Sequence, residues 1–168
     1  MATLKIVTYP DDILKKQALP VEIVDDEIRK LVDDMAETMY AAPGVGLAAN
    51  QVGVLKKVVV IDVEYSEGKP NLLTLINPEI IERSGKCVSE EGCLSLPGVN
   101  EEVERAGRVV VRALDRNGET FELTAEGFLA TAVQHELDHL DGIVLIDRLS
   151  FLKRRMLTRE LIKRKQEQ

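Results

Sequence analysis

The sequence predicts an α+β fold: mainly antiparallel β-sheets around a central buried helix, with an N-terminal and a C-terminal helix. Three observations predict it. A helical pattern is followed by several short β-branched runs that do not alternate with helices, as βαβ units would. Asn117-Gly118 separates two of those runs, and this pair favours the tight hairpin turns of antiparallel sheet. A late helical segment is apolar nearly all round, which places it inside the molecule.

The first helix is expected from Asp25 to about Ala41. Asp25 and Asp26 precede Ile28, Leu31, Val32, Met35 and Met39, which recur at three and four, so the helix is capped and its Met residues lie in the core. Pro43 stops it. In APGVGLAANQVG, Gly44 and Gly46 sit among small residues, as in a loop approaching a neighbour closely, although turn formation alone would also account for them. Lys57 to Val63 and Leu72 to Ile76 read as buried strands, and Arg108 to Asp115 with Glu119 to Leu123 as the hairpin. Thr124 is the expected cap of the helix running through GFLATAVQHELDHLD, and Gly142 its left-handed terminator. Phe128, Leu129, Ala132, Val133, Leu137 and Leu140 bury this helix and its histidines. FLKRRMLTRELIKRKQEQ closes the chain as a basic helix, with Leu152, Met156, Leu157, Leu161 and Ile162 at helical spacing.

A chain of 168 residues fits one domain. Its 45% hydrophobic and 30% charged residues exclude a disordered protein. The N-terminal MATLKIVTYPDDILKK has no uninterrupted apolar core, and no long apolar run follows, so a cytoplasmic protein away from membranes is expected. Two cysteines, Cys87 and Cys93, make a disulfide framework improbable and raise a ligand or nucleophile role for each. The net charge is −7, yet residues after Ser150 hold seven Lys/Arg against Glu160 and Glu167, a tail of +5 that leaves −12 elsewhere. That asymmetry points the tail towards an acidic partner.

The chemistry concentrates in HELDH. Residues four apart on a helix lie one above the other, so His135 and His139, the only histidines, can address one ion while Glu136 lies beside its water. A catalytic ion typically takes a third protein ligand. Leu145 stands where an extended HExxH pattern would need a third histidine, and Leu cannot ligate. Glu160 lies among basic residues and reads as part of a solvated helix face. The remaining candidate is Cys93 in EEGCLSLPG, preferred over Cys87 because glycine and proline flank it in a turn.

Three segments, GVGLAANQ (Gly44 to Gln51), EGCLS (Glu91 to Ser95) and QHELDH (Gln134 to His139), resemble in order and spacing the three motifs of peptide deformylases. The resemblance covers essentially the whole chain, read as one catalytic domain over 1–168 with 151–168 its basic helix. It implies removal of formyl from the N-terminal methionine of new polypeptides. It further implies Cys93, His135 and His139 as ligands of one divalent ion, most often Fe2+, with Zn2+, Ni2+ or Co2+ as alternatives. Glu136 becomes the general acid/base, and Gln51 with the Leu94 N–H the donors to the developing oxyanion. Val45 and Gly46 match the substrate-lining loop, and Phe128, Thr131 and Ala132 the pocket for the methionine side chain. Glu91 and Arg105 are expected to pair behind the ligands and fix the Cys93 loop. Related bacterial enzymes often carry Arg seven residues after the cysteine. This chain has Asn100, a departure that bears on peptide-backbone contacts and not on the chemistry. Similarity to bacterial deformylases also suggests the ribosome as the partner of the basic tail. The competing readings are an HExxH peptidase, which Leu145 argues against, and a metal-stabilised binding protein without activity.

Overall fold

The Asp25 side chain accepts from the Ile28 N–H (3.1 Å) and so satisfies one of the amides that a helix start leaves free. In the computed structural model, which describes residues 2–167, the helix that follows, α1, spans Asp26–Ala41. Met35 and Met39 are fully buried on its inner face, as their spacing predicts.

Seven strands come next: β1 (Gly46–Ala48), β2 (Val58–Ile61), β3 (Leu73–Ser84), β4 (Cys87–Cys93), β5 (Leu96–Arg105), β6 (Arg108–Leu114) and β7 (Thr120–Glu126). Five form one sheet in the order β1-β2-β3-β6-β7, while β4 and β5 pair separately, and every pairing is antiparallel. The helix α2 (Gly127–Leu140) and the C-terminal helix α3 (Phe151–Gln166) complete the α+β arrangement.

Alternation along β2 explains why the sheet is covered on both faces. Val59 and Ile61 pack with Val133 and Ala130 of α2, whereas Val58 and Val60 pack with Met35 and Met39 of α1. A third cluster gathers Leu96, Val99 and Val103 of β5 with Leu145, Ile146 and the α3 residues Leu157 and Leu161. Leu145 is 2% exposed there, which accounts for a leucine at that position.

Several boundaries differ from expectation. Thr124 does not cap α2: it pairs with Val110 inside β7, and the ladder continues to Arg108 opposite Glu126. Gly127, at φ +59°, makes the corner from strand to helix, and the N-cap position falls to Glu126, without a side-chain cap bond. The strand expected to end at Ile76 continues to Ser84, because β6 supplies partners across an irregularity at Asn77 and Pro78. The segment read as a turn around Cys93 is a long hairpin whose turn is only Leu94 and Ser95. Its alternation is masked by glutamates, and Glu91 and Arg105 occupy inward positions that apolar residues usually fill. Within the glycine-rich loop, Gly46–Ala48 adds an edge strand to β2.

In α3 only Leu157 and Leu161 are buried, while Leu152, Met156 and Ile162 remain exposed. Ser150 caps it through the Lys153 N–H. Arg164 donates to the Pro97 carbonyl (2.9 Å), Lys165 to the Thr8 carbonyl (2.8 Å), and Lys153 pairs with Glu101 (2.9 Å). Among the described residues, no helix is long and apolar enough to cross a membrane.

Candidate active site

Helix α2 enters the interior with His135 8% exposed and His139 fully buried, and their ring centroids lie 5.1 Å apart. Cys93, the last residue of β4, brings its Sγ to 3.4 Å from His139 Nε2. One ligand atom each from Cys93, His135 and His139 lies within 4.8 Å of the others. A tetrahedral centre with S and N ligands at ordinary bond lengths separates S from N by roughly 3.6 Å, so this donor set fits a metal ion. Cys87 starts the same strand opposite Arg105 and is no part of the cluster.

The surrounding polar groups suit that use. Glu91 lies two residues before Cys93 on the inner face of β4, and its Oε1 is 2.9 Å from His135 Nδ1. A carboxylate only accepts, so the shared proton sits on Nδ1; burial opposes charge on this ring, yet Glu136, Cys93 and Glu91 raise it well above the usual histidine value, so Nε2 also carries a proton that a bound metal would displace. Arg105 holds the same carboxylate with two bonds, Nε to Oε2 (2.7 Å) and Nη2 to Oε1 (2.9 Å). Burial opposes charge on Glu91, yet the His135 and Arg105 hydrogen bonds outweigh it and hold the carboxyl below its usual range. Burial, with His135 and Arg105 adding to it, pushes His139 well below the usual histidine value, so its ring is neutral as a ligand must be.

Glu136 is 5% exposed, and burial raises it to about 7 against the opposing pull of His135 and Arg105. That value belongs to the metal-free site, and a cation held by the neighbouring ligands would draw it down towards the ionised form that a general base needs. Its Oε1 has no hydrogen-bond partner among the described residues. Gly46 explains how the carboxylate is seated: a Cβ on Gly46 would lie 2.6 Å from Glu136 Oε2 and 2.9 Å from its Cγ. We expect Gly46→Ala to lower kcat about 10²-fold, since a displacement near 1 Å at a reacting group costs that much. Far-UV circular dichroism should stay unchanged, and full activity would contradict the close approach.

The short 3₁₀ turn Ala49–Val52 delivers Gln51, 1% exposed, into the same space. Its Oε1 accepts from the Ala48 N–H (3.0 Å), which orients the amide nitrogen towards Ser95 Oγ (3.1 Å) and Cys93 Sγ (3.7 Å). Leu94 follows Cys93 in the hairpin turn. A cavity of about 430 Å³ opens over this group, and Val45, Gly46, Phe128, Thr131 and Ala132 all line it with Cys93, His135 and Glu136. Asn100 also lines it, opposite Gly92 in the hairpin register.

Some supporting residues were not singled out from sequence. Ser95 positions the Gln51 amide, and the N-terminal segment staples both elements, through Val7 N–H to the Gln51 carbonyl (2.7 Å) and Tyr9 N–H to the Ser95 carbonyl (2.8 Å). Gln134 clamps the Ala106 backbone to α2 from both its amide oxygen and nitrogen. Arg105 also reaches Asp138, and Asp138 in turn Arg148. Ser95, Gln134 and Asp138 lie inside the motifs already quoted, and that membership was the available signal.

A cysteine sulfur and two imidazoles around one position, with a buried carboxyl beside them on an antiparallel α+β frame, define a metal-dependent hydrolase of the HExxH kind. The family follows from comparison: the polypeptide deformylase model matches residues 3–155, and the chain belongs to that family. A peptide deformylase of Thermodesulfovibrio yellowstonii is 52% identical over 95% of this chain and 97% of its own length. Peptide deformylase 1 of Burkholderia multivorans is 63% identical over 91% and 84% respectively. Among solved structures, a peptide deformylase from Legionella pneumophila superposes with a TM-score of 0.91 at 48% identity, covering 98% of this chain and 96% of that one. The enzyme from Ehrlichia chaffeensis in complex with actinonin gives 0.92 at 45%, covering 98% of both.

Proposed function

We propose that this chain hydrolyses the formyl group from the N-terminal formyl-methionine of newly made polypeptides, releasing formate and a free amine. The observation that carries this reading is the placement of Glu136, a buried carboxyl, beside one cysteine and two histidines that converge in one cavity. Cys93, His135 and His139 hold one divalent ion in this reading. When bound, such an ion supplies Lewis acidity and brings its water's pKa from 15.7 towards about 7.

The protein's own groups do the rest. Glu136 takes a proton from the attacking water and returns it to the leaving amine, which lets one carboxyl serve both halves of the reaction. The Gln51 amide and the Leu94 N–H donate to the carbonyl oxygen as it gains charge, and such a donor is worth roughly 3 kcal/mol of barrier. Phe128, Thr131 and Ala132 help form the pocket for the methionine side chain, and Val45 and Gly46 lie on the loop that lines the substrate. Glu91 and Arg105 keep the Cys93 strand and the His135 ring in register. The donor set suits Fe2+ or Zn2+ rather than Mg2+ or Ca2+. We take Fe2+ as the ion, with oxidation of iron or of Cys93 as its liability in air.

The whole chain works as one catalytic unit in the cytoplasm, where its substrates emerge. The exposed face of α3 carries Arg155, Arg159 and Lys163 beside Leu152 and Met156, and we assign it to ribosomal contact. Changing those three cations to Glu should abolish salt-dependent ribosome co-sedimentation while leaving tripeptide turnover intact. Unchanged co-sedimentation would remove that assignment.

The activity itself is tested by formate release from a formyl-Met tripeptide, with protein loaded anaerobically with Fe2+ or Ni2+, beside acetylated and internal-peptide analogues. Release from the formyl substrate alone supports the reading. Cleavage of an internal bond would make the protein a peptidase, and silence with metal bound would make it a binding protein.

A further inference from the structure

The three ligand residues come from two separate elements, Cys93 from β4 and the histidines from α2. Something must hold those elements at one spacing, and a closed ring of polar contacts does so. It leaves α2 at His135, crosses to Glu91 on β4 (2.9 Å), passes by two bonds to Arg105 on β5 (2.7 and 2.9 Å), and returns to α2 at Asp138. The returning bond runs from Arg105 Nη1 to Asp138 Oδ2 (2.9 Å). Arg148, from the 3₁₀ turn Leu145–Arg148, braces Asp138 from outside with Nε to Oδ2 (3.0 Å) and Nη2 to Oδ1 (2.7 Å).

We infer that Asp138 is a positioning residue for the metal centre, because it closes the ring that fixes the Cys93 strand against the histidine helix. It touches no ligand atom and no substrate. The guanidinium is planar and its Nε–Nη2 edge is taken by Glu91, so Nη1 points away and needs an acceptor of its own. Arg105 and Glu91 side chains are each 5% exposed, and Asp138 is 14% exposed. An uncharged amide there offers one oxygen where Arg105 and Arg148 share two, and no charge to balance the buried guanidinium, so Arg105 shifts and takes Glu91 with it. The plane of Glu91 sets the ring of His135, and its strand sets Cys93 two residues on. Asp138 therefore acts on both halves of the donor set at once.

The inference rests on these residues holding a metal and on the deformylase reading for its kinetic part, so the wild-type protein is the internal control. Asp138→Asn keeps the shape and removes the charge. With both proteins loaded with Co2+, we expect chelator to extract the ion 10–100-fold faster from the variant, the cost typical of groups that orient metal ligands. The visible Co2+ spectrum should shift, and kcat should fall with KM for the formyl peptide unchanged. A lowered melting temperature with wild-type extraction rate and spectrum would mean that Asp138 is merely structural, and overturns the inference. Wild-type protein that binds no Co2+ would instead overturn the metal assignment, and one that binds Co2+ without releasing formate would overturn the deformylase reading. Should Asp138→Asn fail to fold, Arg148→Met, altering the exposed brace, is expected to speed extraction a few-fold, and an unchanged rate there overturns the inference.

Discussion

Glu136→Ala should keep its metal and lose nearly all turnover. The proposed ligand atoms belong to Cys93, His135 and His139, so truncating Glu136 removes none of them. What it removes is the buried carboxyl that follows His135 on α2. General acid–base catalysis contributes about 10²–10⁴-fold, and in the proposed mechanism one group serves both proton transfers, so a fall towards the upper end is expected. KM should change little, because no contact to the methionine side chain is assigned to Glu136. Metal content by atomic absorption and kcat for a formyl-Met tripeptide check this together. An active, metal-loaded Glu136→Ala protein would sink the assignment of the proton carrier.

The second large effect is on stability. Arg105→Met leaves Glu91 and Asp138 facing an apolar side chain in a region where both partners of the pair are 5% exposed. Taking one partner from a buried ion pair costs about 3–5 kcal/mol, because the remaining charge stays desolvated. Urea unfolding of metal-free protein at pH 7 should show a loss of that size. A loss under about 1 kcal/mol would mean that Glu91 finds water or another cation without strain.

The raised value of Glu136 has its own pH signature in metal-free protein. Unfolded, the carboxyl titrates at 4.5; folded, at about 7. Between those values the unfolded chain gives up its proton and the folded one keeps it. The contribution is therefore fully present below about pH 4.5 and is lost as pH rises through 7. Glu136→Gln mimics the neutral form at every pH. The stability of wild type relative to this variant should thus fall between pH 4.5 and 7, by about 3 kcal/mol at 1.36 kcal/mol per pH unit. A flat difference would show that the carboxyl is ionised throughout.

HELDH was legible because its chemistry is local. The rise and turn of an α-helix place residues four apart on one face whatever surrounds them, so His135, Glu136 and His139 were assigned without any tertiary contact. Periodicity behind Asp25 and Asp26 likewise carried α1, and Asn117-Gly118 the β6–β7 hairpin. Cys93 was preferred by elimination and by its neighbours, but its strand was not seen, since Glu91 and Arg105 occupy inward positions where alternation expects apolar residues.

Sequence by itself thus determined the α+β class, the helix that presents two imidazoles and a carboxylate, and, through three motifs taken together, the family. Each of these follows from short-range geometry or from pattern. The tertiary structure alone decided that Thr124 stays in the sheet, that Gly46 makes room for Glu136, and that the N-terminal segment ties Gln51 to Ser95. It alone closed the ring from His135 through Glu91 and Arg105 to Asp138, which joins residues as far as 44 positions apart. Such contacts depend on which strands pair and on which charges are buried together, and local propensity carries no record of either.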